Sequence, residues 1–319
     1  MTRLTRLTRL TRIVLPSDFG GPEQLSLVET PTPEPGAGEV RVAVRAIGVN
    51  PVDWKSYSGL MGRDPAALKT MGSEVAGVVA SVGAGVDQWS PGDEVIVPRV
   101  PGPAYADEVI APADGVIAKP AGLSFEQAAG VTLVGGTAAH AVEAAHVSEG
   151  DTVLLHGGAG GVGGLVVQLA RRRGARVIAT GSERSHDYLS ELGAEPVAYG
   201  PGLEARVRAL APDGIDAVID TVGNDEAVDT SLALVDDPKK VVSIAAFMRG
   251  GDGITLIGGG PGADPGTELR QKAWPEVAQL VADGELSLPV ERTYPLEETA
   301  QAHRDSQAGH TQGKLVVVP

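Results

Sequence analysis

Two hydrophobic patterns follow one another along the chain. Up to about residue 125, short runs of alternating apolar and polar residues are separated by Gly and Pro, which is typical of β-strands joined by tight turns. The predicted strands of this part cover residues 13–15, 25–28, 39–47, 75–82 and 93–97. Short strands at such spacing predict an all-β, barrel-like unit.

After Leu123 the pattern changes to strands that alternate with helices. Residues 124–127 (Ser-Phe-Glu-Gln) are typical of an N-capped helix start, and Gly130 interrupts the helical pattern that follows. Helices are predicted at 162–173 and 203–210, and buried strands at 152–155, 176–180, 215–220 and 241–244. This alternation is typical of a doubly wound parallel sheet, so the fold class expected is α/β.

The last part of the chain returns to short extended segments from about residue 285 and ends in an apolar run at 314–318. We therefore predict a discontinuous β domain formed by residues 12–125 and 281–319. A nucleotide-binding domain at 126–280 would be inserted into it.

The first twelve residues differ from the rest, because they repeat Thr-Arg-Leu and contain four arginines and no acidic residue. Such a start has the charge of a transit peptide, but it lacks the serines, and no apolar region of a secretory signal follows it. We interpret residues 1–11 as a disordered extension or as the product of an upstream start codon. Ordered structure should begin near Arg12.

The composition excludes several classes of function. With 319 residues, of which 42% are hydrophobic, the chain is long and apolar enough for a buried core. Its net charge of −15 argues against nucleic acid or an anionic membrane as a partner, because both require a basic face. No apolar run reaches the roughly 18 residues of a membrane span. Cysteine is absent, which excludes disulfides, thiolate nucleophiles and Cys-ligated zinc, and favours a reducing, cytoplasmic compartment.

The most specific local motif is Gly158-Ala159-Gly160-Gly161-Val162-Gly163, which matches G-x-G-x-x-G. It directly follows a predicted strand and opens a predicted helix, the context that this motif requires. We expect Gly158 to permit a tight turn, Gly160 to let a pyrophosphate approach the backbone, and Gly163 to pack the helix closely on the strand. Amides at the helix start, at Gly161 and Val162, would then meet the phosphates.

The end of the second strand usually discriminates between the two nicotinamide dinucleotides. An Asp or Glu there binds both ribose hydroxyls, whereas this chain has Thr180-Gly181-Ser182-Glu183-Arg184. Ser182 can donate to a 2′-phosphate, and Arg184 can pair with it as a planar cation. Glu183 would favour the unphosphorylated ribose if it pointed inward, although in such a loop it is more often solvated. NADPH is therefore the predicted cofactor, with NADH as the alternative.

The histidines give no metal-binding motif. A catalytic zinc without cysteine would need His and carboxylate ligands, and the six histidines show neither HxH nor HExxH spacing. No metal site is therefore predicted.

Several motifs together resemble the zinc-free quinone oxidoreductase branch of the medium-chain dehydrogenase/reductase family. They span essentially everything after residue 12, and they are residues 48–53 (GVNPVD), 72–79 (GSEVAGVV), 137–139 (TAA), 158–163, 167–170 (VQLA), 220–223 (DTVG) and 313–314 (GK). The resemblance implies a GroES-like β-barrel catalytic domain, a Rossmann cofactor domain and a cleft between them. It also implies a homodimer that forms through the Rossmann sheets.

The resemblance also assigns roles to individual residues. In zinc-dependent relatives a cysteine stands at the position of Asn50 and a histidine follows Gly72, whereas this chain has Asn50 and Ser73, so no catalytic zinc is expected. Asn50 is expected against the nicotinamide ribose, Thr137 near the nicotinamide or phosphate, and Val222 beneath the nicotinamide. The expected cofactor-binding residues are Asn50, Thr137, Gly158, Gly160, Gly161, Val162, Gly163, Thr180, Ser182, Arg184 and Val222.

Lys55 and Tyr57 are the candidates for the catalytic side chains. Several zinc-free relatives have a Tyr five residues beyond the Asn, and this chain has Lys55 there, with Tyr57 two residues further on. Lys55 could hydrogen-bond a substrate oxygen or the cofactor, and Tyr57 could supply a proton. Alternatively, Lys55 is solvated and Tyr57 packs at the edge of the barrel.

The function expected is zinc-independent transfer of hydride from NADPH to a quinone or to the activated C=C bond of an α,β-unsaturated carbonyl. Hydride addition to an enone leaves an enolate, whose oxygen can be stabilised by hydrogen-bond donors without a metal. The partner would be a small electron-poor molecule. One alternative is a catalytically silent NADPH-binding protein, with a redox-sensing or structural role on the same scaffold. A zinc alcohol dehydrogenase would require stoichiometric bound zinc.

Overall fold

The structure is a computed structural model that describes residues 9–319. The chain forms two compact units. Unit 1 contains the described residues up to Gly130, together with Val290–His310 and Lys314–Pro319, and unit 2 contains Val131–Pro289 and Thr311–Gly313. The sequence placed the two breaks at 125/126 and 280/281.

Strands and helices are numbered in chain order. The strands are β1 (Leu10–Pro16), β2 (Leu25–Pro31), β3 (Glu39–Gly48), β4 (Val75–Val82), β5 (Glu94–Val97), β6 (Glu108–Pro112), β7 (Ile117–Ala118), β8 (Thr152–His156), β9 (Arg176–Gly181), β10 (Glu195–Ala198), β11 (Ala217–Asp220), β12 (Val241–Ser243), β13 (Thr255–Leu256), β14 (Val290–Pro295) and β15 (Lys314–Val318). The α-helices are α1 (Pro51–Ser58), α2 (Phe125–Ala144), α3 (Gly161–Arg172), α4 (His186–Glu191), α5 (Leu203–Leu210), α6 (Asp225–Leu234), α7 (Thr267–Ala282) and α8 (Thr299–Ala308).

Unit 1 is built on a mainly antiparallel sheet. Its strand order is β14-β15-β3-β4-β5-β7, with β6 paired to β3, and β1 and β2 form a separate ribbon. Alternation along β3 buries Val40, Val42 and Val44, which is the period-2 pattern that predicted this strand. These valines join a core that also contains the rings of Tyr57 and Tyr105. The predicted β domain is thus present, with its last strands supplied by the C-terminal part of the chain.

Unit 2 is a doubly wound sheet of six parallel strands. Their order is β10-β9-β8-β11-β12-β13, and every neighbouring pair is parallel. The strand order reverses between β8 and β11, so the ligand crevice of such a sheet lies at the carboxyl ends of these two strands. The predicted α/β fold class, with a GroES-like unit and a Rossmann unit, is confirmed.

The chain is ordered slightly before the predicted start. Strand β1 begins at Leu10, and Thr11 is buried. The Arg12 amide and guanidinium both donate to Asp107 and hold this segment in unit 1. Of the predicted extension 1–11, residues 1–8 lie outside the described residues. The pattern also missed the short strands β6, β7, β10 and β13, which are too brief to show a period, whereas β14 lies in the stretch predicted to be extended.

Helix α2 does not break at Gly130, contrary to the prediction, but continues to Ala144. Its glycines serve close packing instead. A Cβ on Gly130 would lie 3.2 Å from side-chain atoms of Lys314, and one on Gly136 would lie 3.1 Å from the Cβ of Arg270 on α7. Although α2 is apolar, no helix within residues 9–319 is both long and apolar enough to cross a membrane.

Candidate functional site

The glycine motif at residues 158–163 forms the turn between β8 and the start of α3, here called the phosphate turn. A Cβ placed on Gly160 would find only the carbonyl oxygen of Gly157 within 4 Å, at 3.8 Å, so the space above this residue is open. Helix α3 begins with Gly160 as its N-cap and has no side-chain cap. Its first amides therefore remain available to an anion, as a helix that binds a pyrophosphate requires.

The other glycines of the turn act differently from one another. Gly163 has no room for a side chain, because a Cβ there would collide with the carbonyl oxygen of Gly157, so it packs the helix as predicted. Gly158 was expected to permit the tight turn, but the residue in the left-handed region is Gly157, with φ of 79°. Gly158 is instead needed because a Cβ would lie 2.8 Å from Ala179 on β9.

Two neighbouring segments brace this turn. The hydroxyl of Thr180, at the end of β9, accepts a hydrogen bond from the Gly157 amide at 3.1 Å, and the Gly158 amide donates to the Thr180 carbonyl. From the other side, the Gly313 amide donates to the carbonyl of Ala159 at 2.9 Å. Thr180 is buried. Thr180 was predicted to bind the cofactor, and in this structure its hydroxyl and carbonyl support the phosphate turn.

The residues predicted to select the dinucleotide line one depression beside β9. Its volume is about 400 Å³, and it is lined by Gly181, Ser182, Glu183, Arg184, Ala198 and Tyr199. Ser182 lies next to the Ser185 hydroxyl, at 3.1 Å, and Glu183 is exposed at the rim. Tyr199 is half exposed, at 51%, and sequence reasoning missed it because it follows β10, far along the chain from the motif.

Thr137 is buried and belongs to a polar cluster between α2 and α7 that reaches the surface at Asp264. Its hydroxyl accepts from the Arg270 guanidinium at 3.2 Å, and the same guanidinium donates from Nε to Nδ1 of His140 at 3.1 Å. His140 in turn faces Asp264, at 3.4 Å. Burial and the nearby Arg270 cation lower the pKa of His140, which fits its role as an acceptor. Arg270 was not predicted, since a single Arg on an amphipathic helix carries no sequence signal.

Val222 follows the end of β11 and is 47% exposed. Its amide, like that of Gly223, donates to Oδ1 of the fully buried Asp220. The Asp220 carboxylate thus fixes the backbone of this turn, while the Val222 side chain is partly exposed at the carboxyl edge of the sheet. Gly223 has φ of 77°, which explains the glycine at this position.

In unit 1, Asn50 caps α1 and is buried, with 1% exposure. Its Oδ1 accepts from the Lys314 ammonium at 2.6 Å, and its Nδ2 donates to Oε1 of Glu74 at 2.8 Å. Lys314 also donates to the carbonyl of Val49 and lies 3.5 Å from Glu74. Burial lowers the pKa of Lys314, while Glu74 and Asp53 oppose this shift. A buried cation, amide and carboxylate thus form one cluster.

A second buried chain of hydrogen bonds continues from Asp53. Tyr105 donates to Asp53 Oδ2 at 2.8 Å, and Tyr105 also lies 3.0 Å from Nε2 of His303. Tyr57 lies 2.8 Å from Nδ1 of His303. The Tyr105 hydroxyl donates its proton to Asp53, so Nε2 of His303 must donate to the Tyr105 oxygen. Nδ1 of the neutral His303 ring then accepts from the Tyr57 hydroxyl. All four side chains are at most 3% exposed.

Tyr57 and Lys55 therefore stand in different surroundings. Tyr57 is completely buried, its hydroxyl is bonded to Nδ1 of His303, and burial raises its pKa; its role as a proton donor stays a prediction. Lys55 is half-buried, with its amine 5.5 Å from the Trp54 ring centre. Burial lowers the pKa of Lys55. It is the candidate of the two that still reaches solvent.

No group of three or more His, Asp or Glu residues in the described part of the chain could hold a metal ion. At Asn50 the amide oxygen is already bonded to the Lys314 ammonium, and a positive charge at that place disfavours a second cation.

Comparison with known proteins is consistent across the whole chain. A family model described as alcohol dehydrogenase GroES-like domain matches residues 36–143, and one described as zinc-binding dehydrogenase matches residues 192–317. Quinone oxidoreductase from Mus musculus is 32% identical over 320 residues, which cover 94% of this chain and 96% of that protein.

Solved structures show the same similarity. Escherichia coli quinone oxidoreductase complexed with NADPH has a TM-score of 0.84 and 28% identity, covering 97% of this chain and 100% of that one. CurK enoyl reductase has a TM-score of 0.80 and 28% identity, covering 97% and 99%. The glycine turn, the β domain and these full-length similarities agree, and the chain belongs to the quinone oxidoreductase branch of the medium-chain dehydrogenase/reductase family.

Proposed function

We propose that this protein is an NADPH-dependent oxidoreductase that transfers hydride to a quinone or to the activated C=C bond of an α,β-unsaturated carbonyl, without zinc. The observation that carries the proposal is the open space above Gly160 at the uncapped start of α3. A turn that had lost its ligand would be free to fill this space with a side chain. Similar proteins described as quinone oxidoreductases and as an enoyl reductase support the reaction class.

The choice of NADPH is supported by the depression beside β9. Ser182 and Arg184 both line it, so a residue with a hydroxyl and a residue with a guanidinium lie where the second strand ends, at the adenosine half of such a sheet. A 2′-phosphate would be bound there by charge-assisted hydrogen bonds. Tyr199 adds an aromatic face to the same depression. The E. coli relative was solved with NADPH, which agrees with this choice.

When bound, NADPH supplies the hydride, and the chain provides binding and orientation. The amides of Gly161 and Val162 would hold the pyrophosphate, and Val222 would lie under the nicotinamide. For Asn50, whose side chain is bonded to Lys314 and Glu74, we propose that it fixes the start of α1. Lys55, on the same helix, is the proposed donor to the substrate oxygen on which the enolate charge develops.

The zinc-free part of the proposal rests on the cluster around Asn50. A zinc ligand set needs anionic or neutral donors that converge on an empty point. Here a lysine ammonium lies 2.6 Å from the Asn50 amide oxygen, and the chain has no cysteine. We infer that the Lys314 amine disfavours a metal ion at Asn50.

The proposal is tested by mixing purified protein with NADPH and a panel of quinones and enones while the absorbance of reduced nicotinamide is followed. Consumption that needs both the protein and an acceptor supports the proposal. Tight NADPH binding with no consumption across the panel would contradict it and support the silent binding protein. A parallel series with NADH tests the dinucleotide preference.

Two further parts of the proposal concern assembly and location. We propose a homodimer in a reducing, cytoplasmic compartment, based on the family and on the absence of cysteine from the sequence. Light scattering of the purified protein is expected to give twice the chain mass of 32.6 kDa. A mass of one chain at micromolar concentration would contradict the dimer.

A further inference from the structure

The carboxyl ends of β11 and β12 are tied together by one buried carboxylate. Asp220, the last residue of β11, is fully buried. Its Oδ1 accepts from the amides of Val222 at 2.9 Å and Gly223 at 3.0 Å. Its Oδ2 accepts from the hydroxyl of Ser243, the last residue of β12, at 2.6 Å. Both oxygens of this carboxylate are therefore used to hold the first turn and to reach the next strand.

Ser243 repeats the arrangement on its own strand. Its Oγ accepts from the amides of Ala245 at 3.1 Å and Ala246 at 2.9 Å, while its proton goes to Asp220. Ser243 is also fully buried. Residues 221–223 and 244–246 form two turns, here called the paired turns. Four backbone amides of the paired turns are thus oriented by two side chains that bond to each other.

The paired turns have little freedom to move apart or to shift. A Cβ on Gly223 would lie 2.6 Å from the carbonyl carbon of Ala245, so the two turns pack backbone to backbone. The Thr221 hydroxyl donates to the carbonyl of His156 at 2.7 Å, at the end of β8. The paired turns are therefore also connected to the strand that precedes the phosphate turn.

The sheet topology says which half of a dinucleotide would meet these turns. Strand order reverses between β8 and β11, and a dinucleotide crosses such a sheet at that point with one mononucleotide on each side. The depression with Ser182 and Arg184 belongs to β9, so the adenosine half lies on that side. The ends of β11 and β12 therefore face the nicotinamide half, and the exposed Val222 side chain lies there.

We propose that Asp220 and Ser243 are positioning residues that hold the paired turns against the nicotinamide half of NADPH and so fix the distance and angle of hydride transfer. This rests on the proposed function. Neither side chain reaches the surface, so each acts only through the backbone that it orients. A misplacement of about 1 Å between reacting groups can cost on the order of 100-fold in rate, so a small relaxation here has a large kinetic effect.

The test compares Ser243→Ala with Ser231→Ala as the matched control. Ser231 is another fully buried serine of unit 2, but its hydroxyl bonds to the Ala227 carbonyl and His156 Nε2 and to no atom of the paired turns. Three quantities are measured for each variant: the Kd for adenosine 2′,5′-bisphosphate, the Kd for NADPH, and the single-turnover rate of hydride transfer. Ser243→Thr, which keeps the hydroxyl, serves as the rescue, and Asp220→Asn as a second variant.

We expect Ser243→Ala and Asp220→Asn to bind adenosine 2′,5′-bisphosphate within about twofold of the wild type while hydride transfer slows on the order of 10- to 100-fold. Ser243→Thr should recover most of the rate, and Ser231→Ala should keep it. A rate in Ser243→Ala equal to that of the control would overturn the proposal. Equal loss of bisphosphate binding and rate would also overturn it, because the effect would then be general. A wild-type protein that transfers no hydride would refute the proposed function itself, and the positioning role with it.

Discussion

The ammonium of Lys314 donates to the amide oxygen of Asn50 at 2.6 Å. Lys314 is the first residue of β15, and Asn50 is the N-cap of α1. Glu74 completes this cluster by accepting from the Asn50 amide. The arrangement joins the last strand of the chain to the first helix of unit 1. It also places the Lys314 amine beside Asn50, so the proposed zinc-free chemistry and the stability of unit 1 involve the same three side chains.

Replacing the cation should destabilise unit 1. In Lys314→Met the buried Glu74 carboxylate no longer faces an ammonium, and removal of one partner of a buried pair costs about 3–5 kcal/mol of unfolding free energy. The exposed Lys239→Met is the control and should change stability by less than about 0.5 kcal/mol. Denaturant unfolding measures both. The added change Glu74→Gln should recover part of the loss, and a Lys314→Met as stable as the control would show that the pair is dispensable.

Two glycines of the phosphate turn should respond in opposite ways to the same substitution. Gly160→Val should abolish NADPH binding while the melting temperature stays close to that of the wild type, because the side chain enters open space. Gly163→Val should instead destabilise the fold, because its Cβ collides with the Gly157 carbonyl. Nicotinamide fluorescence and thermal unfolding distinguish the two. Normal NADPH binding by Gly160→Val would remove the turn from the site.

Arg184 should contribute to the choice between the dinucleotides. Arg184→Ala is expected to weaken NADPH binding by about 1.5–3 kcal/mol, the usual value of a charged hydrogen bond, and to leave NADH binding nearly unchanged. Arg208→Ala removes another exposed arginine of unit 2, paired with Glu204, and should alter neither. Calorimetric titration with both cofactors provides the numbers. Equal weakening for NADPH and NADH would mean that Arg184 does not contact the 2′-phosphate.

His303 and Asp53 should give opposite pH dependences of stability. Burial lowers the pKa of His303 from 6.5 to about 3. As the pH falls from 6.5 to 3, the unfolded state therefore binds a proton before the folded state does, and His303 destabilises the fold. Burial raises the pKa of Asp53 from 3.8 to about 7, opposed by hydrogen bonds from Asn50 and Tyr105. The folded state then takes up the proton first, and this group stabilises the fold as pH falls from 7 to 3.8.

The two contributions therefore oppose each other in the wild type between pH 3.8 and 6.5. Relative to wild type, His303→Gln should gain stability as pH is lowered through this range, and Asp53→Asn should lose it, with slopes of at most about 1.4 kcal/mol per pH unit. Denaturant unfolding at pH 4.5, 5.5 and 6.5 gives the slopes. Parallel profiles for both variants and the wild type would refute these pKa assignments.

Removal of metal should leave the activity unchanged. Since Lys314 bonds the Asn50 amide, prolonged dialysis against a chelator is expected to change neither the rate of NADPH oxidation nor the melting temperature. A zinc alcohol dehydrogenase treated in parallel is the positive control. Loss of activity that added zinc restores would contradict the zinc-free mechanism.

Much of the site could be read from local sequence. The G-x-G-x-x-G turn stands between β8 and α3 as predicted, and Ser182 and Arg184 share one depression at the end of β9. Other features had no local signal. Gly157 lies one residue before the motif, has a left-handed conformation, and leaves no room for a Cβ, which would lie 2.4 Å from the Thr221 hydroxyl. Tyr57 was a candidate proton donor by spacing, but its surroundings come from α8 and from the loop that carries Tyr105.

The sequence by itself determined the change from a β pattern to an alternating pattern, the phosphate turn and the absence of thiolate ligands, because periodicity and residue chemistry are properties of neighbouring residues. Tertiary structure decided which distant groups meet. Lys314 and Asn50 are 264 positions apart, and Ser243 and Asp220 are 23 apart. Such pairs exist only when strand order and register bring their ends together, and buried polar groups then bond to whichever partner the packing supplies.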